Sequence, residues 1–174
     1  MRDSLVTYDR FLGGAVTVVQ PARGYRAGMD AVLLAASLSA KPGESLAEAG
    51  SGAGAALLCA THRLGGCHFT GFERDPAAIT LAGQGIAANA FAARADIRTH
   101  DIAERPSALE NVYDQSFSNP PFFDPAAVRA PAPGKEIAYL TDTPLKAWIL
   151  FLHIVAKPRG GITLVHRAAA LAEL

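Results

Sequence analysis

The chain has 174 residues, half of them apolar, and its 16 acidic and 16 basic side chains leave a net charge of zero. This length favours one well-buried domain over two. Neutrality gives no whole-molecule attraction to a polyanion, although residues 44–124 hold ten acidic against five basic side chains and both flanks are more basic.

The first part of the chain predicts a β-hairpin followed by a short helix. Residues 6–12 and 15–20 have the composition of two strands and are joined at a pair of glycines. After a loop, Asp30 is predicted to cap a helix that continues through Leu38. The helix is predicted to stop before residues 41–43, where a proline and a glycine stand side by side.

From residue 44 onward, strands and helices are predicted to alternate. The predicted strands are 45–49, 68–73, 95–100, 113–118 and 161–165, and the predicted helices are 53–63, 76–90 and 143–156. Alternation of this kind indicates an α/β fold, a parallel sheet with helices on both faces. We expect one structural domain, made of a hairpin and helix at 1–43 and a core at 44–174.

A glycine-rich bend follows the first core strand. Glu48 ends that strand, and Gly50, Gly52 and Gly54 follow at alternate positions before a good helix former. Glycines allow a tight turn and a close approach of the backbone to a ligand, and the helix start presents free N–H groups. Neither dinucleotide nor P-loop glycine spacing is present, so a pyrophosphate ligand is disfavoured.

The fourth core strand ends at Asn119-Pro120-Pro121-Phe122. Two consecutive prolines fix φ and donate no N–H, so they stop the strand in a stiff turn. This turn can direct the Asn119 amide and the Pro120 carbonyl at one amino group, while the Phe122 ring covers the flat group that carries it. The alternative is a Pro-Pro turn that only closes the strand.

Acidic residues end the second core strand. Glu73 is placed to accept hydrogen bonds from both ribose hydroxyls of an adenosine, and Asp75 is placed to cap the helix that begins at Pro76. The alternative is that either carboxylate is only a helix cap. Trp148 and Phe151, three residues apart on the last predicted helix, are interpreted as core residues.

No metal site is predicted. Cys59 and Cys67 lack zinc spacing, and the five histidines lie on different elements without paired ligand spacing. Cys59 is expected to be a buried thiol, and the cysteine usage favours a reduced, cytoplasmic compartment. No apolar run is long enough to span a bilayer, and no signal peptide or lipidation motif begins the chain.

Several motifs together resemble one enzyme family. They are Gln20-Pro21 with Gly24-Tyr25-Arg26, the stretch Asp30 to Leu34, the bend Glu48 to Gly54, Gly71-Phe72-Glu73, Asn89, His100-Asp101, Ser118 to Phe123, and Lys157 to Gly161 with the strand after it. On these residues the chain resembles the small-domain class I S-adenosylmethionine-dependent methyltransferases, most closely the bacterial tRNA adenine-N6 methyltransferases. It departs from their pattern at Glu48, where aspartate is usual, and at Gly85, where asparagine often stands.

The resemblance implies a Rossmann-like sheet with an N-terminal hairpin, a cofactor, a substrate and roles for individual residues. S-adenosylmethionine is the implied cofactor and tRNA or another nucleic acid the implied substrate, with methyl transfer to the N6 amino group of an adenine. The implied cofactor-binding residues are Glu48, Gly50, Gly52, Gly54, Glu73, Asp101 and Ile102. The implied catalytic residues are Asn119, Pro120 and Phe122, and the implied substrate-binding residues are Arg26, Pro121, Phe123, Arg129 and Lys135.

Three further points stay open at this level. Asp101 is alternatively a surface-loop aspartate, and the irregular stretch 124–142 is either a substrate-binding loop or a disordered one. The family sheet has seven strands, and the sequence has no residues for the last two. Either the sequence is a fragment, or a truncation leaves a sheet edge that a second copy in a homo-oligomer would cover.

Other functions share the same motifs. A protein-glutamine N5-methyltransferase also methylates a planar amide nitrogen, but such enzymes carry a helical N-terminal domain in place of the hairpin. Guanine-N2 methylation of ribosomal RNA is a second alternative. A non-catalytic cofactor-binding or dimerisation remnant is the alternative from outside enzymology.

Overall fold

The computed structural model describes residues 5–121 and 143–172, and these hold seven strands and four α-helices. The strands are β1 Val6–Phe11, β2 Val16–Pro21, β3 Ser45–Ala49, β4 His68–Glu73, β5 Ala95–Thr99, β6 Tyr113–Ser118 and β7 Ala156–Leu164. The helices are α1 Met29–Ser37, α2 Ala55–Arg63, α3 Pro76–Ala88 and α4 Leu145–Val155. Short 3-10 helices occupy Leu12–Gly14, Ser107–Leu109 and Ala168–Ala170.

Five strands form a parallel sheet in the order β5-β4-β3-β6-β7, which confirms the predicted α/β class. The central strand β3 pairs Ala47 with Thr70 of β4 on one side and with Ser116 of β6 on the other. Because all five strands run in one direction, the loops that follow them meet at one edge of the sheet. Along this edge, the strand order reverses between β3 and β6. Open α/β sheets bind their ligands at the carboxyl ends of the strands at such a point.

Helices cover both faces of the sheet. Leu46, Phe69 and Phe117 belong to one buried cluster, which also contains residues of α1, α2, α3 and β2. Ala47 and Phe72 belong to a second cluster, built with the apolar side of α4. Because successive strand residues point to opposite faces, Leu46 and Ala47 separate the two clusters.

The hairpin forms a separate two-stranded antiparallel sheet, and the Asn89 side chain attaches it to the core. The Thr17 N–H donates to Asn89 Oδ1 at 2.8 Å, and Asn89 Nδ2 donates to the Thr17 carbonyl at 2.6 Å and to the Gly85 carbonyl at 2.7 Å. One amide side chain therefore joins β2 to the end of α3.

The structure corrects two predictions about element ends. Helix α1 begins at Met29 with Gly28 as its N-cap, so the prediction that Asp30 is the cap is wrong. Asp30 lies inside the first turn, where its charge favours the positive end of the helix dipole. The fifth core strand is also longer than the predicted 161–165, because residues 156–160 belong to β7 and contain an irregularity in its pairing with β6.

Candidate active site

A cavity of about 410 Å³ opens at the carboxyl edge of the sheet. The loops after β2, β3, β4, β5 and β6 supply its walls, together with parts of α1, α2, α3 and α4. Most of the residues predicted to bind the cofactor or the target group line this one cavity: Glu48, Gly50, Gly52, Glu73, Asp101, Ile102, Asn119, Pro120 and Pro121. The topology has therefore gathered residues from four different strand ends.

The glycine bend and the diproline turn are neighbours because the strands before them are paired. Ala49 of β3 is in register with Ser118 of β6, and the Ser118 hydroxyl donates to the Ala49 carbonyl at 2.8 Å. Gly50 and Asn119 directly follow these paired residues and both line the cavity. The two motifs that carried the sequence interpretation thus lie side by side at the same edge.

The three glycines of the bend have different roles. All have positive φ, and a Cβ on Gly50 would lie 2.3 Å from the ring of Trp148, so no side chain fits there. A Cβ on Gly52 would meet no atom within 4 Å, which leaves that side of the bend open. Gly54 does not line the cavity; it is the N-cap of α2 and packs against Ala82 of α3.

Glu48 is a buried carboxyl group at the base of the cavity. Its side chain is 3% exposed, and Oε2 has no hydrogen-bond partner among the described residues. Burial raises the pKa of Glu48 to about 8; the nearby Glu73 carboxylate also raises this pKa, and the N–H of Leu57 partly opposes the shift. A buried oxygen without a partner is costly, so this site fits a ligand that brings a donor or a positive charge.

Glu73 is held by backbone N–H groups at the end of β4. One carboxylate oxygen accepts from Gly52 N at 2.8 Å, and the other accepts from Arg74 N at 2.8 Å and Asp75 N at 3.0 Å. Its carboxylate therefore bridges the glycine bend and the start of α3 with a fixed orientation. Asp75 caps α3 by accepting from Ala77 N at 2.9 Å, which confirms its predicted role as the cap.

Asp101 and Ile102 follow β5 on the same cavity. Asp101 accepts from Ala103 N at 2.9 Å and pairs with Arg74 at 3.3 Å. The Ala103 N–H and then the Arg74 guanidinium hold the pKa of Asp101 below its usual value, so this acceptor is ionised at neutral pH. Ile102 is 7% exposed and presents an apolar surface beside it.

The diproline turn carries a buried oxygen on a residue that lines the cavity. Asn119 Oδ1 is buried and has no hydrogen-bond partner within the part of the chain that the structure describes. Pro120 is buried and Pro121 is partly exposed. The prolines fix φ and the Ser118 hydroxyl anchors the preceding strand end, so the backbone that carries this oxygen is restrained.

The remaining predicted site residues lie elsewhere. Arg26 does not line the cavity: its guanidinium pairs with Asp9 at 2.6 Å and donates to the Pro21 carbonyl at 3.2 Å. Phe122, Phe123, Arg129 and Lys135, with the whole stretch 124–142, lie outside the described residues.

Several cavity residues were not predicted from the sequence. Trp148 is buried in the core as expected, yet its ring also lines the cavity and packs against Gly50. Gln20, Arg23 and Tyr25 line it from the loop after β2. Their only sequence signal is their place in the motif ahead of the glycine bend, because nothing local indicates that a separate hairpin contributes a cavity wall.

The cavity fits a zwitterionic ligand that carries an adenosine. Glu73 and Asp101 supply acceptors for hydroxyl and amino groups, Ile102 supplies an apolar surface, and Gly52 leaves room for close approach. The partnerless oxygen of Glu48 suits a cationic end. Within residues 5–121 and 143–172, no three His, Cys, Asp or Glu side chains are grouped to hold a metal ion. No helix of this part is long and apolar enough to cross a membrane.

Curated proteins similar to this chain include tRNA methyltransferases from two bacteria. A tRNA1(Val) (adenine(37)-N6)-methyltransferase from Porphyromonas gingivalis is 31% identical over 159 residues, which are 86% of this chain and 61% of the relative. A protein of the same name from Mannheimia succiniciproducens is 30% identical over 100 residues, 57% of this chain and 41% of the relative. The chain thus spans about three fifths or less of the length of these relatives.

Solved structures share the fold. A predicted O-methyltransferase from Agrobacterium tumefaciens aligns with a TM-score of 0.66 and 24% identity, covering 83% of this chain and 64% of that one. TYW2 from Pyrococcus horikoshii, solved in complex with MeSAdo, aligns with a TM-score of 0.60 and 18% identity, covering 88% of this chain and 49% of that one. The family model for the methyltransferase small domain matches residues 26–137. The chain therefore belongs to the methyltransferase small domain family of S-adenosylmethionine-dependent methyltransferases.

Proposed function

We propose that this protein transfers the methyl group of S-adenosylmethionine to the N6 amino group of an adenine in tRNA. The curated relatives are tRNA adenine-N6 methyltransferases by name, and they supply the substrate class. The observation that carries the proposal is the buried Asn119 Oδ1, which has no hydrogen-bond partner among the described residues and belongs to a residue that lines the cavity beside the glycine bend.

An exocyclic amino group is the partner that this oxygen lacks. A buried acceptor left without a hydrogen bond costs about 1–3 kcal/mol, and a bound amino group would remove that penalty. We assign the Pro120 carbonyl as the second acceptor, so that two oxygens hold the two hydrogens of one NH₂ group. In a free adenine the lone pair of this nitrogen is delocalised into the ring. The two acceptors favour a more sp³-like nitrogen, which frees the lone pair to attack the methyl group.

The other cavity residues are proposed to hold the cofactor. Glu73 would accept from the ribose hydroxyls and Asp101 from the adenine amino group, while Ile102 would cover the ring. Glu48 would face the cationic end, and Gly50 and Gly52 would allow close approach of the backbone. When bound, S-adenosylmethionine supplies a methyl group activated by a sulfonium. Gly54 would act indirectly, as the residue that starts α2 beside the bend.

The target base must leave its stack to reach the Asn119 oxygen. Pro121 lies at the partly exposed side of the turn, where an entering base would pass. Phe122 remains the predicted stacking face, and Phe123, Arg129 and Lys135 remain predicted substrate contacts. Arg26 is proposed to act at a distance, by holding the loop after β2 through Asp9.

The test is methyl transfer to tRNA followed by mass spectrometry of the nucleosides. With isotopically labelled S-adenosylmethionine, the wild type should produce labelled N6-methyladenosine. Asn119→Ala should lower the transfer rate by about 10²–10³-fold, the loss typical for one preorganised hydrogen-bonding group. Asn119→Asp keeps an acceptor oxygen and should retain more transfer than Asn119→Ala.

Calorimetry with S-adenosylhomocysteine is the control. Both Asn119 variants should bind this demethylated form of the cofactor as the wild type does, because their change lies on the substrate side of the cavity. Label in N2-methylguanosine or in a protein glutamine, and none in N6-methyladenosine, would refute the substrate assignment. Loss of S-adenosylhomocysteine binding in Asn119→Ala would refute the role of Asn119.

A further inference from the structure

The loop Ala22–Gly28 joins β2 to α1. Hydrogen bonds to side chains of the hairpin hold it in place. The Ala27 N–H donates to Gln20 Oε1 at 2.7 Å, and Gln20 Nε2 donates to Asp9 at 2.6 Å. Arg26 binds the same Asp9 carboxylate at 2.6 Å. Gln20 is 2% exposed, so this network is buried at its centre. The loop is therefore held at two points against the hairpin.

This anchoring sorts the loop side chains into two groups. Arg26 turns toward the hairpin, where it also donates to Thr7 Oγ1 at 2.9 Å. Arg23 and Tyr25 line the cavity instead, on either side of Gly24, which has a φ of 102°. The loop thus presents one cation and one aromatic ring to the cavity in which Asn119 also lies.

The charges of the cavity restrict where a phosphate can bind. Among the described residues, four acidic side chains line it: Glu48, Glu73, Asp75 and Asp101. Of the described arginines that line it, Arg74 pairs with Asp101, whereas Arg23 forms no hydrogen bond or ion pair with any other described residue. An RNA phosphate is repelled by the acidic residues and attracted by the unpaired guanidinium. Arg23 is exposed, so this attraction acts at the cavity mouth.

Tyr25 offers the second group that an extruded nucleotide needs. Its side chain is 48% exposed although it lines the cavity, so one part of it faces the open mouth. A base that leaves its stack loses contact with its neighbours, and an aromatic side chain restores part of that stacking. A tyrosine ring tolerates any base, so it adds affinity while the Asn119 oxygen selects an amino group.

We propose that the Ala22–Gly28 loop is a substrate-positioning element, in which Tyr25 stacks on the extruded target base and Arg23 binds an adjacent RNA phosphate. The assignment rests on the proposed function, since it takes the substrate to be an adenine in RNA. Both residues are positioning residues, and neither takes part in the transfer step. They are expected to affect the binding and positioning of the RNA and not the binding of the cofactor.

The probe is the anticodon stem-loop of tRNA1(Val) with adenine 37, the target that the relatives name. Tyr25→Ala should lower kcat/KM for this RNA by about 5- to 150-fold, the range that one base–aromatic stack supports. Tyr25→Phe keeps the ring and should restore transfer. Arg23→Ala should weaken binding of the stem-loop in fluorescence anisotropy and reduce the slope of log K against log salt by about 1.

Two exposed residues that do not line the cavity serve as matched controls. Tyr8 is 63% exposed on β1, and Arg105 has a side chain that is 69% exposed. Tyr8→Ala and Arg105→Ala should leave stem-loop binding and its salt slope unchanged. Binding of S-adenosylhomocysteine should be unchanged in all the variants.

Two results would overturn the assignment. One is a loss of S-adenosylhomocysteine affinity in Tyr25→Ala or Arg23→Ala as large as the loss of transfer, which would make the loop part of the cofactor site. The other is a kcat/KM for Tyr25→Ala that equals the wild-type value, together with stem-loop binding by Tyr25→Ala and Arg23→Ala that matches the controls. A wild type that binds the stem-loop without methylating it would refute the proposed function. In that case the binding of the stem-loop by the loop variants, compared with the controls in fluorescence anisotropy, would still test the role of the loop.

Discussion

Replacement of Glu48 by glutamine should change how cofactor binding depends on pH. Glu48 is buried and its Oε2 has no described partner, and its pKa of about 8 leaves it mostly protonated at neutral pH in the ligand-free chain. A cationic group bound beside it favours the carboxylate, so binding must release the proton. Glu48→Gln keeps the shape of the side chain and has no proton to release.

The size of the effect follows from that pKa. At pH 6 only about 1% of a carboxyl group with a pKa of about 8 is ionised, and at pH 8 about half of it is. If binding requires the ionised form, the wild type should bind about 50-fold more tightly at pH 8 than at pH 6. Glu73 from β4 adds negative charge nearby, while Cys59 from α2, whose pKa burial raises to about 12, stays neutral over this range.

Calorimetry with S-adenosylhomocysteine in buffers of different ionisation enthalpy measures both quantities. At pH 7 the wild type should release about 0.9 proton more than Glu48→Gln, and only the wild type should show the 50-fold increase in affinity. Subtracting the variant removes the titration of the ligand's own amino group. Equal proton release and equal pH dependence in the two proteins would refute the assignment of Glu48 to the cationic end.

Three further outcomes are expected. Gly50→Ala should unfold at a lower temperature and lose cofactor binding, because its Cβ would collide with Trp148, whereas Gly52→Ala has open space and should keep more of the stability. Circular dichroism melting compares them, and equal melting temperatures would contradict the steric argument. Asn89→Ala should lower the free energy of unfolding by about 1–3 kcal/mol, since the three hydrogen bonds to Thr17 and Gly85 are lost; denaturant titration measures this, and a change near zero would contradict the role of the junction. Without ligand, the wild type should become less stable from pH 4.5 toward 8, by at most about 5 kcal/mol, because the unfolded Glu48 loses its proton first; urea titration of Glu48→Gln should show a flatter profile.

The alternating part of the fold was predictable because local sequence signals mark where its strands and helices end. The strand 45–49 and the strand 113–118 were predicted with the observed ends, since a glycine bend and a diproline turn stop them. The cap at Asp75 was predictable for the same reason, because a proline follows it at the first helical position. Local chemistry also predicted which strand ends carry the acidic and amide groups of the cavity.

The last strand was mispredicted because its irregularity depends on the neighbouring strand. Tyr113 pairs with Ala156 and Gln115 pairs with Gly161, so β7 has extra residues opposite a short stretch of β6. Arg159 has a positive φ there, and Lys157 is held by Asp114 at 2.6 Å. The sequence Lys-Pro-Arg-Gly is typical of a turn when it is considered alone. It becomes part of one strand only because the residues before it and after it both pair with β6.

Long-range contacts in the cavity could also not be predicted from the sequence. The burial of Glu48 depends on packing from several elements, so its raised pKa has no local signal. Asp30 was misassigned as a cap because the preceding Gly28 takes that position. The choice between Arg23 and Arg26 as a group facing the cavity depends on Asp9, which belongs to a different strand.

The contact between Trp148 and Gly50 limits how the pocket can be re-engineered. Enlarging the space beside the glycine bend, for instance to accept synthetic donors with bulkier alkyl groups, would start from a smaller residue at position 148. The same indole is 8% exposed and belongs to the cluster beneath the sheet, so its truncation leaves a void there. Variants with a widened donor range will therefore need compensating substitutions in α4 to remain folded.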